Sequence, residues 1–422
     1  MTAPIAAAEV VRAVLPNGLT CLVRASPGAG MVALHAYLRA GGMFDRDRPG
    51  LARFVGAALI RGTHRHRGPD LAEALDTMGA SLTVSAGTET ASLAAHGLAE
   101  DLPRLLGFAA EVLVEPAFPP DEVERVRGEL LTAIRVNGLD TRQVAERLFR
   151  RLAYPADHPH SRSPDGDEAT VAGLDRAALE AFHRTHYVPG AAILAVVGDV
   201  EPSAALDRVA EAFAGWQGHG TPPPPAARAA PPATVVRGEA SVPGKSQSDL
   251  VLGVPGVDRR DPDYYALMMA NLLLGQLGLM GRIGQRVRET LGMAYYAYSD
   301  LRAGLLAGPW WVRAGVSPVN VDRAVAAILA EIEQLQSSGP APDELADART
   351  FLTGSLAVRL ESTPGLAQML ADMELYALGL DYLERYPAII SAVSREAIVH
   401  AARRFPTSAY VLAVAGPDRS AA

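Results

Sequence analysis

Cysteine is almost missing from this sequence: of 422 residues, only Cys21 is one. That excludes a disulfide framework and a cysteine-based zinc site. Cys21 lies in the alternating run Leu19-Thr20-Cys21-Leu22-Val23, which predicts a buried strand thiol rather than a nucleophile. An excess of positive charge is also missing. The formal net charge of −8 argues against nucleic acid as the main partner. No apolar run reaches the length of a membrane span. The N-terminus lacks a basic stretch followed by an apolar core, so the expectation is a cytoplasmic protein, or a periplasmic one where a signal peptide has been removed. What remains is 49% hydrophobic and 20% charged residues, enough for a large core, and a length that suggests about two or three domains.

Val10–Leu15 and Leu19–Arg24, joined by Pro16-Asn17-Gly18, read as a hairpin with an Asn-Gly turn. Met31–Leu38, Ser81–Thr90 and Ala91–Leu98 read as strands. Helices are expected over Pro69–Met78, Asp101–Leu113, Asp121–Arg135 and Leu174–His186, several with an acidic first turn. Ala191–Asp199 then reads as a buried strand. The run 218–234, with Pro222-Pro223-Pro224-Pro225 and Pro231-Pro232 among Ala and Gly, favours extended geometry and cannot pack as a core. It predicts three segments: an N-terminal domain at 1–220, a linker at 221–234 and a C-terminal domain at 235–422. Phe182–Asp199 recurs as Ala401–Asp418, each a helix end, a Pro turn and a Val/Ala-rich strand, which reads as duplication of one α+β unit.

The stretch Pro49 to Thr63 reads as a short helix. Pro49 suits its entry, Leu51, Phe54, Val55, Ala58 and Leu59 recur at helical spacing, and Gly62 ends it. Ala40-Gly41-Gly42-Met43-Phe44-Asp45 precedes it and Arg61-Gly62-Thr63 closes it. That frame resembles the site helix of the pitrilysin/insulinase family of zinc peptidases, the inverted zincins. In that family the helix carries H-x-x-E-H, two His that bind zinc and a Glu that activates its water. The resemblance places Arg53, Gly56 and Ala57 at those three positions. The family's third ligand, a Glu on a later helix, falls on Ala133, or on Thr132 with a one-residue slip, and a supporting Glu falls on Val126. Arg has no lone pair to offer a metal, and Gly and Ala have neither ligand nor base. No zinc is expected in this chain.

A second family signature lies in the other half. Arg288-Glu289-Thr290-Leu291-Gly292-Met293-Ala294-Tyr295 resembles the family's R-x-x-x-G-x-A-Y. The resemblance implies that Arg288 and Tyr295 bind the substrate backbone or its tetrahedral oxyanion across from the zinc. From the residues alone, the more ordinary reading is Arg288 in a surface salt bridge with Glu289 or another carboxylate and Tyr295 in a strand core. The glycines at 275, 278, 281 and 284 form no nucleotide-binding fingerprint and read instead as a mobile loop, where the family has one. His64 and His66 read as solvated loop residues, and His158 and His160 as structural. His183 and His186 share a helix face without a carboxylate or Cys at ligand spacing.

The resemblance implies an α+β fold of two duplicated α/β-sandwich halves facing each other around a cleft, joined by the Pro-rich linker. The expected function is that of a non-catalytic, substrate-binding subunit of a two-chain zinc peptidase acting on unfolded peptides. A homologous H-x-x-E-H subunit would hold the zinc as the heterodimeric partner, with no nucleic acid or membrane involved. The alternative is a structural or assembly subunit of the same fold with no peptidase role. In the vacated site Arg53 is expected to reach a carboxylate or carbonyl and fill the space of the metal.

Overall fold

In the computed structural model, which describes residues 9–223, 226 and 229–418, the chain divides into two compact units. One comprises Met1–Ile134, Pro164–Pro225 and Ser355–Arg385; the other comprises Arg135–Ser163, Ala226–Gly354 and Tyr386–Ala422. The contiguous division at 1–220 and 235–422 therefore needs correction. Each unit has its sheet in one half of the chain but takes a further segment from the opposite half. Of the expected linker, residues 224, 225, 227 and 228 lie outside the described residues.

The first unit is built on six strands: β1 (Val10–Val14), β2 (Thr20–Ala25), β3 (Met31–Leu38), β4 (Ser81–Ala86), β5 (Ala91–Leu98) and β6 (Ala192–Gly198). Their order is β1-β2-β6-β3-β5-β4. The hairpin turn forms as expected: Gly18 takes a positive φ of 92°, and Asn17 Oδ1 accepts from Leu19 N at 3.1 Å. Cys21 is fully buried, and burial pushes its thiol up to about 12, so it is chemically inert.

The second unit holds β7 (Val236–Ser241), β8 (Ser248–Pro255), β9 (Ala294–Leu301), β10 (Pro309–Val316) and β11 (Val411–Gly416), in the order β7-β11-β8-β10-β9. The duplication is visible in the pairing. β6 runs parallel to β2 and antiparallel to β3, and β11 runs parallel to β7 and antiparallel to β8. The repeated Val/Ala-rich segments thus fill the same place in each sheet. Among the described residues no single helix is long and apolar enough to cross a membrane.

Two helices explain the exchanged segments. Thr363–Leu375 lies on β3 and β6 of the first sheet, capped by Ser362, whose hydroxyl accepts from Gly365 N at 3.1 Å. It buries Leu366, Ala367, Leu370 and Ala371, and polar contacts latch its far end. Arg12 on β1 makes two bonds to Glu374 at 2.7 and 2.9 Å, and Tyr37 on β3 donates to Asp372 at 2.9 Å. In the other unit, Thr141–Ala153 lies on β11, β8 and β7. Thr141, Ala145, Phe149 and Ala153 recur every four residues and form its buried stripe. Gly238 on β7 lets it approach, since a Cβ there would stand 2.7 Å from Leu152 Cδ1. Burial of a phenylalanine such as Phe149 contributes about 1.5–3 kcal/mol.

Three histidines of the first unit are held neutral. His35 on β3 is 9% exposed beneath the Thr363–Leu375 helix, and its environment lowers its pKa to about 4, by burial first and then by the nearby charge of Arg359. His183, whose Nε2 lies 2.9 Å from Leu113 O, is lowered to about 4, chiefly by burial. His186, between the rings of Phe44 and Phe182, behaves alike. A pKa below its unfolded value means stability that is complete above about pH 6.5 and is lost as pH falls toward 4. His35 and His183 should each add about 1.4 kcal/mol per pH unit to the slope across that window. Urea denaturation at pH 7, 6, 5 and 4 measures the slope, and His35→Gln should remove one histidine's share. A flat profile in the parent protein would refute the assignment.

Candidate functional site

In the first unit the site helix spans Leu51–Ala58 and runs on as a tight turn, Leu59–Arg61, which Gly62 stops at φ 152°. Its start is fixed by Asp45. That buried carboxylate accepts from Gly50 N at 2.9 Å and from Ala52 N at 2.8 Å, satisfying orphan donors of the first turn. Gly50 is required there, with φ 96° and Asp165 O only 2.9 Å from where a Cβ would sit. Leu51, Phe54, Val55, Ala58 and Leu59 are all buried, as their spacing predicts. Gly56 faces β4 so closely that a Cβ would lie 3.3 Å from that of Ala86.

The ligand positions carry no ligand chemistry. Arg53 is half-exposed, with Nε 3.5 Å from Asp165 Oδ1. Gly56 is buried, Ala57 half-buried and Ala133 exposed on the long helix Pro120–Gly138, while Val126 is fully buried. The described residues contain no group of three His, Cys, Asp or Glu able to hold a metal. A guanidinium, a glycine and two alanines do not fit zinc.

Arg53 does reach a carboxylate, but loosely. A half-exposed pair of this kind contributes less than about 1 kcal/mol, too little to stiffen the site as a metal would. Firmer contacts come from residues the sequence did not single out. Arg127 lies over the Phe54 ring at 5.4 Å and donates to Val171 O at 2.8 Å, and Arg61 meets Glu129 at 2.6 Å. His66, expected in solvent, instead lies 2.8 Å from the buried Glu111. His158 and His160 are buried and stack on each other, as structural residues should.

The second unit brings Arg288 and Tyr295 together. After the helix Tyr264–Gly275, the glycine-rich segment departs from helical geometry at Gly278, Leu279, Met280 and Gly281, with Met280 at a positive φ of 72°. A π-helical turn, Gln285–Thr290, follows and carries Arg288. The chain reverses at Gly292, φ 59°, into β9. The Arg288 guanidinium carbon stands 5.9 Å from the Tyr295 ring centre, and its Nε is 3.5 Å from Glu289. Tyr295 is 80% exposed. The strand-core alternative for Tyr295 is thereby overturned, while the Glu289 contact exists beside the pair. β9 is an edge strand, so its outer backbone groups are unpaired within the sheet.

The next residue anchors the strand. Tyr296 is 9% exposed and donates to Asp249, which is itself 2% exposed and also accepts from Thr141. Gln247 adds a third donor at 3.2 Å. Asp249 on β8, Gly315 on β10 and Tyr296 on β9 stand in register across three strands. A Cβ at Gly315 would lie 2.7 Å from the Tyr296 ring and 2.9 Å from Asp249 Oδ1, so the glycine is what lets the phenol cross β10. Burial, then the bond to Asp249, raises the phenol's pKa and keeps it a donor. No sequence spacing flags this arrangement, whose members are brought together only by strand register.

The sequence model described as "Insulinase (Peptidase family M16)" matches residues 20–158, and the one described as "Peptidase M16 inactive domain" matches residues 173–352. The chain belongs to the insulinase (M16) peptidase family. An uncharacterized zinc protease of Mycobacterium tuberculosis is 28% identical to it, over 99% of this chain and 95% of its own. Another, from Streptomyces coelicolor, is 26% identical over 87% of this chain and 80% of its own. A crystal structure described as a peptidase M16 inactive domain from Pseudomonas fluorescens superposes with a TM-score of 0.90. It is 26% identical and covers 97% of this chain and 98% of its own. A protease from Helicobacter pylori shares the fold at the same TM-score with 18% identity, covering 97% and 99% of the two chains. Within this family the chain has no ligand side chains at positions 53, 56, 57 and 133, and it places Arg288 beside the exposed Tyr295.

The anchor of that surface is open to test. Tyr296→Phe removes one donor from Asp249 and should cost about 1–3 kcal/mol in urea unfolding. Gly315→Ala, whose Cβ pushes the phenol and carboxylate apart, should cost at least as much. A Gly315→Ala protein as stable as the parent would show that the three-strand register carries no such constraint.

Proposed function

We propose that this chain is the non-catalytic, substrate-binding subunit of a two-chain zinc peptidase acting on unfolded peptides. A homologous subunit with an intact H-x-x-E-H supplies the zinc and the general base. This chain supplies Arg288 and Tyr295 opposite that zinc. The observation that carries the reading is asymmetry of loss: the zinc positions hold Arg53, Gly56, Ala57 and Ala133, while Arg288 and Tyr295 meet on an exposed strand edge. Such a guanidinium and phenol are suited to the task. They present N–H and O–H donors toward a developing oxyanion, and the open edge of β9 offers backbone groups to an extended peptide, reading main chain more than sequence. A purely structural subunit has no use for an 80% exposed tyrosine beside an arginine at that edge.

The test is cleavage of an unstructured fluorogenic peptide by this chain alone, by the H-x-x-E-H partner alone, and by the two together. Activity is expected only in the mixture. Arg288→Ala should reduce it by about 10²- to 10³-fold, the usual loss on removing one oxyanion donor. Cleavage by this chain alone overturns the reading. A stable complex without cleavage would assign the chain a structural or assembly role instead.

A further inference from the structure

The helix-bearing face of the second sheet carries a basic cluster with too few acids to balance it. β10 contributes Trp311 and Arg313 to this face, β9 contributes Tyr298 and Asp300, and Arg302 follows at the strand's end. The helix Thr141–Ala153 adds Glu146 and Arg150. Trp311 is fully buried, with the Arg313 guanidinium 4.2 Å and the Arg150 guanidinium 5.2 Å from its ring centre. Both carboxylates are already engaged. Glu146 pairs with Arg313 at 2.8 Å, and Asp300 pairs with Arg302 at 2.6 Å.

Arg150 is left over. Its Nη1 is buried and has no hydrogen-bond acceptor, and the same is true of Arg313 Nε and the Trp311 indole nitrogen. Three buried donors without acceptors around a single indole depart from the near-complete satisfaction usual in folded proteins. Burial of a guanidinium without its own counter-charge is costly unless an anionic acceptor joins it. The surplus of positive charge stands out on a chain whose formal net charge is −8.

We propose that this cluster is a carboxylate-binding subsite, which reads an acidic side chain of the bound peptide. The proposal rests on the peptide-binding role given above and adds a substrate class to it: unfolded peptides with an acidic residue at a set distance from the reacting bond. Planar guanidinium forks match a carboxylate, and stacking on Trp311 holds Arg313 in place for it. The spacing is also defined. Tyr298 and Asp300 lie three and five residues beyond Tyr295 along β9, which at about 3.3 Å per residue is roughly 10–17 Å. An extended peptide paired to the β9 edge, with its reacting bond at Tyr295, carries the residues three and five positions away to the cluster, because side chains of a strand alternate faces.

The experiment uses the full chain and two C-terminally amidated, unstructured peptides that differ only in Glu against Gln at those positions. Binding is read by fluorescence anisotropy at low salt. Glutarate and its uncharged diamide serve as probes of the site itself, read by tryptophan fluorescence. The Glu peptide should bind about tenfold more tightly than the Gln peptide. Glutarate should change the fluorescence saturably, and the diamide should not. Both effects should disappear in Arg150→Met and weaken in Arg302→Gln, whose side chain is on the exposed rim and does not support the core. Equal affinity for the two peptides together with no glutarate effect overturns the proposal and leaves an internal water as the acceptor. A glutarate effect without binding of either peptide upholds the carboxylate site and overturns the peptide-binding role.

Discussion

The second unit depends on a single buried carboxylate. Asp249 gathers donors from the first residue of a helix, from β9 across the sheet and from Gln247, just ahead of its own strand. A buried acid on a strand is tolerable only when its acceptor capacity is used, because an unpaired buried charge costs more than a hydrogen bond returns. Here the demand is met by elements that would otherwise be free to shift. Helix, sheet and strand edge are therefore fixed together, and the exposed Arg288–Tyr295 pair hangs from a strand that cannot slide. A one-residue slip would turn Tyr296 outward and bury Tyr295, exchanging anchor and surface.

Much of the fold was legible because its signals are local. The Pro-Asn-Gly turn, the stop at Gly62 and the apolar spacing of the site helix each follow from a few neighbouring residues. The duplicated Val/Ala strand was readable because the two copies retain one composition. The lack of ligand side chains at the positions of the H-x-x-E-H resemblance was legible for the same reason, since side-chain type is read directly from the sequence. What lay beyond reach was through-space. The helix Thr141–Ala153 was not read from the sequence, and the spacing of Ala145, Phe149 and Ala153 could not say which sheet covers it. Thr141 and Tyr296 are 108 and 47 positions from Asp249, and only strand register joins them. Glycines such as Gly315 and Gly56 read as neutral in sequence, yet each marks a close approach.

The frame of the site helix does not depend on metal ligands. The residues that shape the helix, Asp45, Gly50, Phe54 and Gly62, serve the backbone and the core and are needed with or without a metal. At the positions of the resemblance, Gly56 packs against the neighbouring strand and Ala133 faces solvent.

The exchanged helices also set the order in which the molecule can assemble. The first sheet is complete in sequence by Gly198, yet the helix that covers β3 and β6 is made of residues 363–375. The second sheet waits for β11 near the end of the chain, while its covering helix, 141–153, is among the earlier segments to be synthesised. Neither core can close during synthesis until these distant segments have emerged. Folding is thus a late, long-range event with high contact order, slower than the helix content alone suggests. A chain that stops short of residue 363 exposes an uncovered face of the first sheet, and one that stops short of β11 lacks the strand that joins β7 to β8.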